Sequence, residues 1–106
     1  MRQEPTARHA VPDPLVRGRF GDDQRYFTVR ASSADAPDSF QVYAGENRAD
    51  VVVVVSGLVS WNLRATWGDG WRSGSAQWKA WFKDQAFMVF YNGKPPAADN
   101  VRFCNG

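Results

Sequence analysis

From Leu15 onward apolar and polar side chains alternate in short runs separated by turn residues, the period of half-buried β-strands. Leu15–Phe20 is a first short strand, stopped by Gly21-Asp22-Asp23. Arg25–Ala31 places Phe27 and Val29 on one face and Tyr26, Thr28 and Arg30 on the other. A Ser, Asp and Pro-rich loop over 32–38 follows, and Ser39–Ala44 then alternates with Phe40 and Val42 inward. Val51–Val55 is an unbroken β-branched run, so both of its faces should be covered, in the centre of a sandwich or against another subunit. Trp61–Trp67 puts Trp61, Leu63, Ala65 and Trp67 on one core-facing side before Gly68-Asp69-Gly70 turns the chain.

The next stretch fits two periods. Trp78, Trp81 and Phe82 have helical spacing, whereas Trp78, Ala80 and Phe82 have strand spacing. Strand neighbours favour a strand over 76–85, with a short helix as the alternative, which would make the fold α+β. Ala86–Tyr91 reads as a buried strand closed by Asn92-Gly93-Lys94-Pro95-Pro96, and Asn100–Cys104 as an edge strand. The expectation is an all-β fold: a small antiparallel β-sandwich or barrel of about 6–8 short strands, one β-rich domain over 15–106. Residues 1–14 lack any apolar period and carry Pro5, Pro12 and Pro14, which predicts an extended N-terminal arm. Such an arm has little apolar surface to offset its ordering entropy, so it orders only against its own domain or a neighbouring subunit.

Composition supports one domain able to fold alone: 106 residues, 43% apolar, with Trp and Phe supplying bulky core material. No window nears the ~20 apolar residues of a membrane span, and Met1-Arg-Gln-Glu-Pro-Thr does not read as a signal peptide. A soluble protein of the cytoplasm or of a virion is expected. The net charge of +2 is spread as +2 over residues 1–30, −3 over 31–60 and +3 over 61–106. Bases interleave with acids instead of clustering, which makes nucleic acid a less favoured partner.

Catalytic chemistry finds little to work with. The one histidine, His9, lies in the arm, so no nucleophile–histidine arrangement fits a folded core. The carboxylate pairs Asp22/Asp23 and Glu46/Asp50 fall in turns or at strand edges, where they face water. Ser33, Asp35 and Asp38 lack the spacing of a calcium loop, and Gly68-x-Gly70 lacks that of a phosphate loop. Cys104 is single, so it makes no intrachain disulfide. No metal, cofactor or enzymatic activity is expected.

Tryptophan is the distinctive feature, all five lying within residues 61–81. Trp71 sits between polar turn residues and is the one most expected at the surface. Flanked by Asn62, Asp69 and Arg72, it would form a platform for a sugar ring, a base or a partner side chain. A Trp71 folded back over the end of the domain is the structural alternative.

Val53-Val54-Val55-Ser56-Gly57-Leu58 resembles the first-strand motif of RNA-recognition-motif domains, and Lys83-Asp84-Gln85-Ala86-Phe87-Met88-Val89-Phe90 resembles their third-strand motif. The resemblance implies Phe87 as a base-stacking residue and Lys83 as a phosphate contact. Val stands where the first motif has its aromatic, and Asp84 where the second has Gly.

Three functions are therefore carried forward. The first is a non-enzymatic assembly subunit of a larger complex, such as a small phage-like capsid or tail protein of a virion. Its docking elements would be the arm with Pro5, Pro12 and Pro14 and the strand with Val51, Val53 and Val55, and its partners other protein subunits. The second is a lectin-like carbohydrate-binding module using Trp71, Asn62, Asp69 and Arg72. The third is a single-stranded RNA- or DNA-binding domain using Trp71, Trp81 and Phe87.

Overall fold

A computed structural model describes residues 13–21 and 24–94. Five strands follow one another as an antiparallel meander: β1 (Val16–Gly21), β2 (Tyr26–Ala31), β3 (Ser39–Ala44), β4 (Val51–Ser56) and β5 (Arg64–Trp67). A single turn of 3-10 helix, Asp69–Trp71, leads to one helix, α1 (Ala76–Asn92). The chain is mostly β with an antiparallel sheet, as the alternation predicts. The sheet is open and single, however, and the described residues form neither a sandwich nor a barrel of 6–8 strands. One helix takes the place of a second sheet.

That helix replaces the strands expected over 76–85 and Ala86–Tyr91. Its ends decide the matter. The Ser75 hydroxyl accepts the Trp78 amide at 3.1 Å, and Gly93 in the left-handed conformation donates its amide to the Val89 carbonyl at 2.7 Å. Between these caps Phe82, Gln85, Ala86, Val89 and Phe90 recur at helical spacing and form the buried side. No helix among the described residues is long and apolar enough to cross a membrane.

Register brings residues of all five strands onto the helix-facing side: Phe20 opposite Phe27, Val29 opposite Val42, Val42 opposite Val53, and Val55 opposite Ala65. Phe82 fills the centre, its ring 4.9 Å from Phe20, 4.8 Å from Phe27 and 4.9 Å from Trp78. α1 lies over β1 and β2. Gly18 makes that approach possible: a Cβ there would stand 2.6 Å from the Gly93 carbonyl oxygen and 2.8 Å from Val89 Cγ1. Arg17 completes the helix end, its guanidinium 4.8 Å from the Phe90 ring centroid and its Nη1 donating to the Phe90 carbonyl at 3.4 Å.

The valine run is buried by this chain itself. Val52, Val53 and Val55 are buried, while Val51 and Val54 are half-buried on a strand lying between β3 and β5. A register shift between Val42 and Tyr43 lets consecutive valines enter the core. The outer face of the sheet has its own buried residues, Thr28 and Tyr43, which stand opposite each other.

Candidate functional site

The two ends of β5 carry different aromatic groups, and only one of them is free on its surface. At the end leading into the 3-10 turn, Trp71 is half-buried and fully engaged. Its indole N–H donates to Asp50 Oδ1 at 3.0 Å, and its ring stacks on Trp78 at 6.1 Å with an 11° interplanar angle. It meets Phe27 edge-on at 5.7 Å, and the Arg25 guanidinium lies 5.3 Å from its centroid. Trp71 is thus folded back over the end of the core. Asp69 and Arg72 pair with each other beside it in full exposure. Asn62 lies at the opposite end of β5, about 13 Å of strand away, its amide on the Gly57 carbonyl at 3.0 Å. The structure therefore does not bring Asn62 together with Trp71, Asp69 and Arg72.

At that opposite end Trp61, expected in the core, is 60% exposed. The strand is three residues shorter than the alternation over Trp61–Trp67 predicts: β5 begins at Arg64, and Trp61 belongs to the preceding turn. Its φ of 60° is left-handed, a conformation that costs a bulky L-residue roughly 1–2 kcal/mol. The turn that imposes it is pinned. Leu58 is buried and donates its amide to the Asp38 carbonyl at 3.0 Å, while the Asp38 carboxylate accepts the Val59 amide at 2.9 Å. Gly57, at φ 80°, has no room for a side chain, since a Cβ would stand 2.1 Å from the Asn62 carbonyl oxygen. Because Asp38 and Leu58 hold the turn to the domain, Val59 and Trp61 are presented by a fixed backbone.

Trp61 continues onto α1. Its ring lies 6.4 Å from Phe87, which is stacked at 6.3 Å and 6° on Tyr91 and rests edge-on against Phe40 at 5.4 Å. Val59 is 69% and Tyr91 55% exposed, with Leu63 and Met88 also at the surface. Trp61, Phe87 and Tyr91 make a ledge of aromatic groups from the β4–β5 turn along the C-terminal half of α1, and Val59, Leu63 and Met88 are exposed on the same two segments. The outer side of that helix is itself poor in charge, carrying Ala76, Gln77, Ala80, Asp84, Met88 and Tyr91. A helix apolar on more than one side is ordinarily covered on more than one side.

The outer sheet face carries an ionic cluster of another kind. Arg19 holds Glu46 through Nε at 2.8 Å and Nη2 at 3.2 Å, and the Tyr26 hydroxyl donates to the same carboxylate at 3.0 Å. The Arg19 bond, with the Tyr26 bond added, lowers the Glu46 pKa; the same carboxylate raises that of Tyr26. Asp13 is likewise lowered, chiefly by Arg30 at 2.8 Å and then by the Leu15 amide at 2.9 Å. Glu46 and Asp50 thus serve separate partners and do not form a carboxylate pair.

Lys83–Phe90 lies in α1, so the likeness to a third-strand motif does not extend to the backbone. Phe87, which it implies as a stacking residue, is partly buried against Phe40 and Trp61. Of the arm, Pro14 is described and exposed; Pro5, Pro12, His9 and Cys104 lie outside the described residues. Among the described residues no three His, Cys, Asp or Glu side chains gather at one place. No family model, curated protein or solved structure matches the chain.

Proposed function

We propose that the chain is a non-enzymatic assembly subunit, a small β-rich component of a larger protein particle, which associates with further copies of itself through the Trp61 ledge. The observation that carries this reading is Trp61 itself: a bulky indole held at φ 60° by a pinned turn, with most of its surface in water. Backbone strain and an exposed indole are both unfavourable for the isolated domain, and contact with a partner would offset both. Exposed aromatics beside a helix side whose single charge is Asp84 have the composition of an interface centre, where Trp and Tyr contribute most of the binding energy.

In this proposal the docking surface lies beside the valine strand and not within it, since Val53 and Val55 are taken up by the core. Sugar stacking on Trp71 is supported less, because that ring is occupied by Trp78, Arg25 and Phe27 and its N–H by Asp50. Sedimentation velocity on the full chain and on Trp61→Asn tests the proposal. The wild type should sediment as a concentration-dependent larger species and the variant as a monomer; equal sedimentation of the two would remove the ledge from the account.

A further inference from the structure

A second surface adjoins the ledge at Phe87 and has a different chemistry. β5 is four residues long and pairs only with β4 among the described residues. The Gly68 amide donates to the Val52 carbonyl at 2.8 Å, which fixes the phase of the β4–β5 ladder. Hydrogen-bonded pairs alternate along an antiparallel ladder, so Thr66 and Arg64 direct their N–H and C=O groups toward β4. Ala65 and Trp67 direct theirs outward, to the open edge. Native edges are commonly blunted by proline, a bulge or an inward-pointing charge, none of which Arg64–Trp67 has; its protection is its shortness and the charge of Arg64.

The helix side beside this edge is basic. Lys79, Lys83, Phe87 and Tyr91 succeed one another at four-residue spacing and therefore share a side of α1. Two members of that stripe are tied to this side of the domain: Lys79 Nζ lies 5.3 Å from the Trp67 ring centroid and donates to the Arg72 carbonyl at 2.5 Å, and Phe87 lies 6.4 Å from Trp61. Lys83 stands between them. Arg64 is exposed on the other face of the same strand, and neither the stripe nor β5 contains an acidic residue.

We infer that the open edge of β5, with the Lys79–Lys83–Phe87 side of α1 beside it, takes up an extended segment of another protein in which apolar and acidic residues alternate. Main-chain hydrogen bonds to Ala65 and Trp67 supply register-independent affinity; on the helix-facing side of the added strand the acidic side chains meet Lys83 beside Phe87, and on its other face the apolar side chains lie along Thr66 and the stem of Arg64. Charge selects this occupant over a second copy of the chain. Two β5 edges pairing about a twofold axis would bring Lys79, Lys83 and Arg64 of both copies to the same seam, where like charges oppose association.

The test is a titration of the isotopically labelled full chain with three synthetic extended peptides, followed by amide NMR shifts and hydrogen exchange. One alternates Val and Glu, one alternates Val and Lys, and one has the Val/Glu composition reordered to break the alternation. The Val/Glu peptide should shift and protect the Ala65 and Trp67 amides, and bind at least about tenfold more tightly than either of the others. Lys83→Glu should reverse the preference between the Glu and Lys peptides. Ala65→Pro, which removes one edge N–H at a position where an edge strand tolerates proline, should weaken the Val/Glu peptide by about tenfold. Equal binding of the three peptides, or unchanged binding to Lys83→Glu, would overturn the inference. So would edge amides already protected in the free monomer, which would assign the edge to residues 1–12 or 95–106, or amides protected only on oligomerisation, which would assign it to a second copy. Sedimentation reads the ledge and the edge amides read β5, so either proposal can fail without the other.

Discussion

The indole N–H of Trp71 donates to the Asp50 carboxylate at 3.0 Å, joining the turn after β5 to the turn before β4. The bond closes one end of the core, because Trp71 also stacks on Trp78 from α1 and abuts Phe27 from β2. Trp71→Phe keeps a ring in place but leaves the half-buried carboxylate without this donor. A loss of about 1–2 kcal/mol in urea unfolding is expected. Asp50→Asn retains an acceptor oxygen and should lose less, so the order of the two variants checks the account.

Gly18 and Gly93 define how closely the helix sits on β1. In Gly18→Ala the new methyl would stand 2.6 Å from the Gly93 carbonyl oxygen and 2.8 Å from Val89 Cγ1, so α1 must shift outward. The expected destabilisation is about 1–3 kcal/mol, with reduced protection of the last turn of α1 in hydrogen exchange. Unchanged stability and protection would show that the helix packs on the sheet elsewhere.

Glu46 links stability to pH. Its pKa is lowered in the folded chain, by Arg19 first and Tyr26 second, so its contribution is present above the ordinary carboxylate range and disappears as pH falls through the lowered value. Tyr26 runs the other way: its pKa is raised, so its contribution holds below the ordinary tyrosine range and is lost as pH climbs through the raised value. Both partners of the ion pair are about half exposed, which limits the acid-side effect to roughly 0.2–1 kcal/mol. Glu46→Gln should flatten the fall in stability below about pH 4.5 and remove the difference from wild type at the acid limit. Chemical unfolding across pH measures it.

Trp61 should behave as a residue kept for contact and not for the stability of its own domain. Trp61→Gly or Trp61→Asn places a residue tolerant of φ 60° at the strained position and removes exposed apolar surface. Monomer stability should be unchanged or higher by up to about 1 kcal/mol, in spite of the lost contact with Phe87. A loss of more than about 1 kcal/mol would mean that the indole contributes to the core of its own chain.

How much of this was legible in the sequence follows from where the periods are unambiguous. β2 and β3 carry an apolar residue at every second position and form where expected, and the valine run identifies β4 as buried. Trp78 and Phe82 satisfy both periods, so periodicity alone does not separate helix from strand here, and the deciding signals lie at the ends: Ser75 before the helix, then Gly93 with Pro95-Pro96 after it. Alternation from Leu63 onward extrapolates back to Trp61 and predicts it in the core. The signal against that was Gly57, which marks a turn whose course only the Asp38 hydrogen bonds fix. The Trp71–Asp50 bond joins residues twenty-one apart in sequence and has no local signature.

Light scattering after size exclusion, on the full chain over about a hundredfold range of concentration, decides whether the ledge joins copies of the chain. Self-association through Trp61 requires a molar mass that climbs with concentration to a defined oligomer, and a Trp61→Asn Tyr91→Ser variant that stays at the monomer mass of 11.9 kDa throughout. A wild type that remains at that mass over the whole range would contradict self-assembly through the ledge.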